Sequence, residues 1–253
     1  MKQLDELFKH AEHTVVVHYS CENFYDRGEN PRSPRTTYIA VRNLDSGQTK
    51  SFSIHLIAEQ RGLLDSIEQH YDDLEREMLL TFFDAVKERQ HCLWMHWNMR
   101  DANYGFEALE NRLKALGSVP NTSVPESKRY DLSRILIGIY GVKYTRHPRI
   151  ESLMGQNHIS ARDFLIGQQE ADAFEQKQFV RLHQSTLRKV DVLANFAGRA
   201  YAGDLITSSG WRELHGRPIL AFFELFREHW LVKILGGGIV LVGLAYKAWH
   251  WFH

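Results

Sequence analysis

Four side chains of this sequence have the clearest chemical potential: Glu22, Asp101, His183 and Asp191. Glu22 stands just past a β-branched run at 13–19, and Asp101 just past an apolar run at 91–97. His183 and Asp191 are eight residues apart in a helical pattern, which is about two turns and places them on one face. Carboxylates hold hard divalent cations, and an imidazole exchanges a proton near neutral pH. Each residue also has a plainer use: Glu22 as a polar residue leaving a strand, Asp101 or Asn103 as a helix cap, His183 and Asp191 as ordinary members of a helix face. A second kind of chemistry is offered by Lys143, Arg146 and Arg149, with His147 and Arg162 nearby and Tyr140 and Tyr144 interleaved. Basic and aromatic residues so mixed suit a phosphate-bearing ligand, although Glu151 and Asp163 would balance the same segment as a solvated helix face.

The elements that must position these residues come from a chain of 253 residues, 43% hydrophobic and 12% aromatic, enough to fill a genuine core. Lys plus Arg and Asp plus Glu both number 31, so no global field recruits a polyanion and any nucleic-acid contact must be local. The 14 histidines form no His-x-x-x-His pair, and the two cysteines, Cys21 and Cys92, no Cys-x-x-Cys pair, which argues against structural zinc. Few cysteines and no apolar run after Met1 point to a reducing, cytosolic compartment for the N-terminal domain.

An amphipathic opening at 1–12 precedes strand one at 13–19. Residues 23–35, with Gly28, Pro31 and Pro34, read as a loop. Strands at 36–43 and 50–57 flank a turn in which Gly47 takes positive φ, an antiparallel hairpin. Helical spacing over 58–89 predicts one long or two shorter amphipathic helices, the crossover to a strand at 91–97. Trp94 and Trp97 in that strand are assigned to the core. A turn and a helix from Phe106 to a C-cap at Gly117 follow. After the polar stretch with Pro120 and Pro125, helical patterns near 148–157, 161–176 and 178–202 make the second half mainly helical.

This order of elements resembles the ribonuclease-H-like fold, and in particular the DEDD family of 3′ to 5′ exonucleases, over about residues 13–200. The resemblance is carried by Ser20-Cys21-Glu22 after strand one, by Asn98 with Asp101 after strand four, and by His183 ahead of Asp191 on a late helix. It implies an α/β domain with a mixed sheet, flanking helices and a helical C-terminal half, spanning 1–205. It also implies that strands one and four lie parallel and adjacent, with Glu22 and Asn98 at their C-terminal ends and the two cysteines too far apart to bridge. If catalytic, such a domain uses Glu22, Asp101 and Asp191 to hold magnesium or manganese, with His183 as general base. The chain departs from the family pattern in having Ser20 for the first aspartate, Asn103 competing with Asp101, and a wide spacing to Asp191. Loss of one carboxylate weakens a two-metal site. The sequence therefore favours a module with an eroded site that senses or binds nucleic acid, nucleotide or protein, in an architecture like that of bacterial antiviral defence proteins. An active exonuclease is the alternative.

The late segment 230–252 has thirteen uncharged residues between Lys233 and Lys247. Those lysines are about 21 Å apart along a helix and can snorkel toward water. Trp230 at one end and Tyr246, Trp249 and Trp251 at the other suit the two interfaces. Gly236, Gly237, Gly238 and Gly243 burden a water-soluble helix but suit close packing of membrane helices, which predicts a single span and association of copies or with a partner protein. Residues 206–229 read as an amphipathic connector. Its Arg212, Arg217 and Arg227, with Lys233, predict that the domain stays on the cytoplasmic side. Full-length protein should resist alkaline carbonate extraction from membranes, while a chain ending at Arg217 should be soluble; full-length protein that washes off at high pH would contradict the anchor.

Overall fold

The computed structural model describes residues 1–22, 34–100 and 103–209, so Asp101 and the segment 230–252 lie outside the described residues. Among the described residues no helix is long and apolar enough to cross a membrane. The chain divides into two units, Met1–Ile135 with His147–Ile206, and Leu136–Arg146 with the chain from Thr207.

In the first unit β1 (Thr14–Cys21), β2 (Thr36–Asn43), β3 (Thr49–Ser53), β4 (Leu93–His96) and β5 (Arg129–Asp131) form one sheet in the order β3-β2-β1-β4-β5. β1 pairs antiparallel with β2 and parallel with β4, and β4 pairs parallel with β5. The expected parallel neighbours are therefore present. Glu22 and Asn98 follow their C-terminal ends, and Cys21 and Cys92 are both free. The β2–β3 turn has Gly47 at φ 72°, as a tight hairpin requires.

Period-two alternation divides the β1 side chains between two layers. Val15, Val17 and Tyr19 join Ile39, Val41, Phe52 and Trp94 in a core closed by α3 (Tyr71–Glu88) and α4 (Phe106–Ala115). Leu74, Met78, Phe82 and Val86 of α3 recur at helical spacing and are at most 1% exposed. Each such side chain contributes roughly 1.5–3 kcal/mol by leaving water. Trp94 meets Phe82 and Phe106 edge-on, and Trp94 and Trp97 are both buried, as the sequence implies. The other face of β1, with Val16, His18 and Ser20, is covered by α8 (Phe179–Ala202) and α7 (Gly167–Glu175). α1 (Lys2–Lys9) stacks Phe8 on Tyr201 of α8, with centroids 4.3 Å apart.

Two sequence expectations are corrected, for the strand at 50–57 and for the cap of α4. The strand at 50–57 stops at Ser53, whose hydroxyl accepts the Leu56 N–H and caps α2 (Ile54–Gln60). Ile54 and Ala58 are buried on that helix, so capping and packing override the β-branched run. Over 58–89 it is the two shorter helices that form: the end of α2, then, after a 3₁₀ stretch at Leu64–His70, α3. The helix α4 has Gly105 at its N-cap with no side-chain cap, so Asn103 does not cap it. The segment after Pro125 supplies β5 and then α5 (Leu132–Tyr140), and α6 (Arg149–Gln156) comes before α7. In the second unit the Ser208 N–H donates to the Tyr144 carbonyl at 2.7 Å.

Buried histidines give this fold an acid sensitivity. Tyr38 Oη lies 2.8 Å from His55 Nδ1, and the His55 and His183 rings are 5.6 Å apart. Burial, with His183 beside it, lowers the His55 pKa to about 4, and burial lowers that of His96 to about 4. Burial also holds His183 below its ordinary value. These groups are neutral when folded but take up protons below about 6.5 when unfolded, so the stability they leave intact above that pH is lost as pH falls toward 4. For His55 the full loss is roughly 3 kcal/mol. The urea midpoint should therefore drop between pH 7 and pH 4.5, and drop less in His55→Gln; an equal drop in the variant would contradict the assignment.

Candidate functional site

The C-terminal ends of β1, β4 and β5 deliver polar side chains to one edge of the sheet, and α7 and α8 pack against β1 there. Ser20 points from β1 toward α8 and lies in a closed polar cluster. Its Oγ donates to Glu170 Oε1 of α7 at 3.1 Å and lies 3.0 Å from Thr186 Oγ1 of α8. Ser185 Oγ donates to the same Glu170 oxygen at 3.0 Å, and Lys189 Nζ stands 2.7 Å from Glu170 Oε2. Glu170 is 6% exposed and Lys189 7%. The helix supplies Ser185, Thr186 and Lys189 together because residues three and four apart share a face. His18, two residues back on β1, donates or accepts at Nδ1 with Tyr104 Oη at 3.3 Å. Burial and then the charge of Lys189 hold the His18 imidazole well below its ordinary pKa.

Glu22 points elsewhere. Its Oε1 accepts the Arg35 backbone N–H at 3.0 Å and its Oε2 the Arg35 guanidinium at 2.9 Å, while the Glu22 N–H donates to the Arg35 carbonyl at 2.9 Å. The pair thereby ties together the two ends of residues 23–34. Arg35 continues to Asp72 at 3.0 Å and lies over the Tyr71 ring at 4.7 Å. Beside it Arg112 grips Glu75 through Nε at 2.9 Å and Nη2 at 2.6 Å. Burial raises the Glu75 carboxyl above its ordinary range even against that guanidinium.

At the ends of β4 and β5, Asp131 Oδ1 accepts the N–H groups of Asn98 (3.2 Å) and Ser133 (3.0 Å). Its Oδ2 is 3.0 Å from Arg100 Nε. Asn98 occupies the left-handed region at φ 56° and takes a hydrogen bond from Arg100 on its side-chain oxygen at 3.0 Å.

Of the expected set, the described members Glu22, His183 and Asp191 are held by different partners, and Asp101 lies outside the described residues. His183 Nε2 is 2.8 Å from Ser51 Oγ of β3, and its ring stacks on Tyr38. Asp191 pairs with Arg42 at 3.4 Å, and Arg42 sits opposite Val16 in the sheet. Glu22 is six residues further along β1 than Val16, which is about 20 Å of extended chain. Asp191 is thus held toward the far end of the strand from Glu22. Sequence spacing puts His183 and Asp191 on one face of a helix; that this face meets the sheet, and where along it each residue lands, comes from the fold. Among the described residues no group of three or more His, Cys, Asp or Glu side chains is arranged to hold a metal.

Of the basic residues, Lys143 and Arg146 are exposed in the second unit, while Arg149 opens α6 in the first unit, half-buried. Tyr144 is fully buried, so it offers no face for a base to stack on. The residues that the sequence reading missed are Glu170, Lys189, Arg35 and Arg100. No family model matches this chain, and no curated protein matches it.

The ion pair gives a stability test. Lys189→Met leaves the Glu170 carboxylate buried without its cation and should lower unfolding stability by about 3–5 kcal/mol, whereas Lys189→Met combined with Glu170→Leu should recover most of it. Urea melts of the two variants measure this, and a single variant as stable as the double would contradict the coupling.

Proposed function

We propose that the chain is a membrane-tethered module of ribonuclease-H-like architecture that binds its ligand and does not hydrolyse it. Support for the architecture comes from the strand order β3-β2-β1-β4-β5, antiparallel on the β2 side of β1 and parallel on the β4 side. One observation carries the non-hydrolytic reading: the described acids at the carboxyl edge of the sheet are already bound by basic side chains, Glu22 by Arg35, Asp131 by Arg100 and Glu170 by Lys189. The magnesium or manganese that an exonuclease resemblance implies does not fit these residues. A divalent ion needs carboxylates free to neutralise it, and a lysine ammonium stands on the carboxylate nearest Ser20.

The ligand class favoured by the exposed Lys143 and Arg146 is nucleic acid, held through its phosphates and not by stacking on Tyr144. In this reading the segment 230–252 is the membrane tether, supported by its uncharged stretch between Lys233 and Lys247 and its flanking aromatic residues, and the role is that of a sensor or effector in defence.

Full-length protein in detergent micelles, given manganese and end-labelled single-stranded DNA or RNA, should leave the strands intact. It should bind them with an affinity that falls as salt rises, and Lys143→Glu with Arg146→Glu should weaken that binding. Shortening from the 3′ end that disappears in Glu170→Gln would overturn the reading. Failure to bind at low salt would remove nucleic acid as the ligand.

A further inference from the structure

The helix α3 stops short of the end of the sheet at which β1 begins. Its last residue is Glu88, and the chain turns at Arg89, whose carbonyl accepts the Cys92 N–H at 2.9 Å, to enter β4 beside the start of β1. A cavity of about 590 Å³ opens between that turn and the β2–β3 hairpin, a volume within the range of small-ligand sites. Cross-strand partners share a face of a sheet, so the pairs Val15–Asn43 and Val41–Lys50 line it from the α3 side.

The buried Val15, Val41 and Cys92 make an apolar floor. The rim carries both signs of charge, Glu12, Asp45 and Glu88 against Lys50, Arg89 and His91. Arg89 is already engaged, donating to the Ala85 carbonyl at 3.2 Å and lying 3.4 Å from Glu88. The Glu12 carboxylate lies 3.7 Å from His13 Nε2. Among the described residues Asp45 takes part in no ion pair, and Lys50 Nζ lies over the Phe52 ring, 5.4 Å from its centroid. These two charges are set apart along the hairpin: Lys50 is level with Val41, and Asn43 is two residues further along β2, about 7 Å, with Asp45 beyond it in the turn. The two charges of a free amino acid flank one carbon, whereas those of an extended chain of two or three residues stand up to about 10 Å apart, which matches the span. The exposed Gln48 amide adds a donor and an acceptor of the kind a peptide bond takes.

We propose that this cavity binds a short free peptide of two or three residues, with an apolar side chain against Val15, Val41 and Cys92, its ammonium at Asp45 and Glu12 and its carboxylate at Lys50. The site shares no residue with the nucleic-acid reading, so the two stand or fall separately.

The experiment is titration of the full-length chain in detergent micelles with the tripeptide Ala-Leu-Ala, following the methyl resonances of isotope-labelled valines by NMR. The Val15 and Val41 methyls should shift saturably, and free leucine should bind more weakly than the tripeptide. Asp45 and Lys50 are both exposed, so their substitution leaves folding intact. Asp45→Asn should weaken binding of the free tripeptide about three- to fivefold and leave the N-acetylated form unchanged, whereas Lys50→Met should weaken the free tripeptide by a similar factor and leave the C-terminal amide unchanged. No saturable shift at Val15 and Val41, a tripeptide capped at both ends that binds as well as the free one, or variants that weaken capped and free forms equally or neither, would overturn the proposal.

Discussion

A buried lysine and a buried glutamate are each several kcal/mol unfavourable on leaving water, and only close mutual contact with further hydrogen bonds offsets that. Lys189 and Glu170 meet this condition at 2.7 Å, with Ser20 and Ser185 supplying hydroxyls to the carboxylate. The pair constrains much of the first unit. It joins α7 to α8 and both to β1, so the two helices cannot shift along the sheet without exposing an uncompensated charge. Packing of Leu182, Val190, Leu193 and Phe196 along the buried side of α8 then has a single register to settle into.

The same electrostatic logic recurs along the carboxyl edge. Glu22 is spent on Arg35 and on closing the ends of residues 23–34, and Asp131 on Arg100 and two backbone N–H groups. On the other side of the sheet Glu75 and Arg112 form a bidentate pair in the core. An edge whose acids are matched in this way is well suited to holding shape and poorly suited to gathering divalent ions. The proposed binding role takes its argument from that matching of acids by bases.

Much of the fold was legible because it rests on periodicity. The β-branched runs at β1 and β2, the Gly47 turn and the helical stripe of α3 all announce themselves locally. β3 was overextended because the Ser53 cap competes with a β-branched run, a contest that packing decides. β5, three residues long, has no periodicity to read. The site was less legible, since its geometry depends on which turn of α8 faces which residue of β1. A signal was nevertheless present: Leu182, Thr186, Lys189, Leu193 and Phe196 form one helical stripe, and a lysine inside an apolar stripe demands a buried partner. Glu170, beside Ala171, Ala173 and Phe174 on α7, is the matching anomaly. Strand ends draw attention to Glu22 and Asp131, whereas the buried pair lies on two helices.

The most direct measurement of the central claim is a crystal grown in manganese, with diffraction data collected at the manganese absorption edge. The account predicts no anomalous peak within bonding distance of Glu170, and electron density for Lys189 Nζ in contact with its carboxylate. A manganese peak shared by Glu170 and Ser20, with the Lys189 side chain turned away, would contradict it.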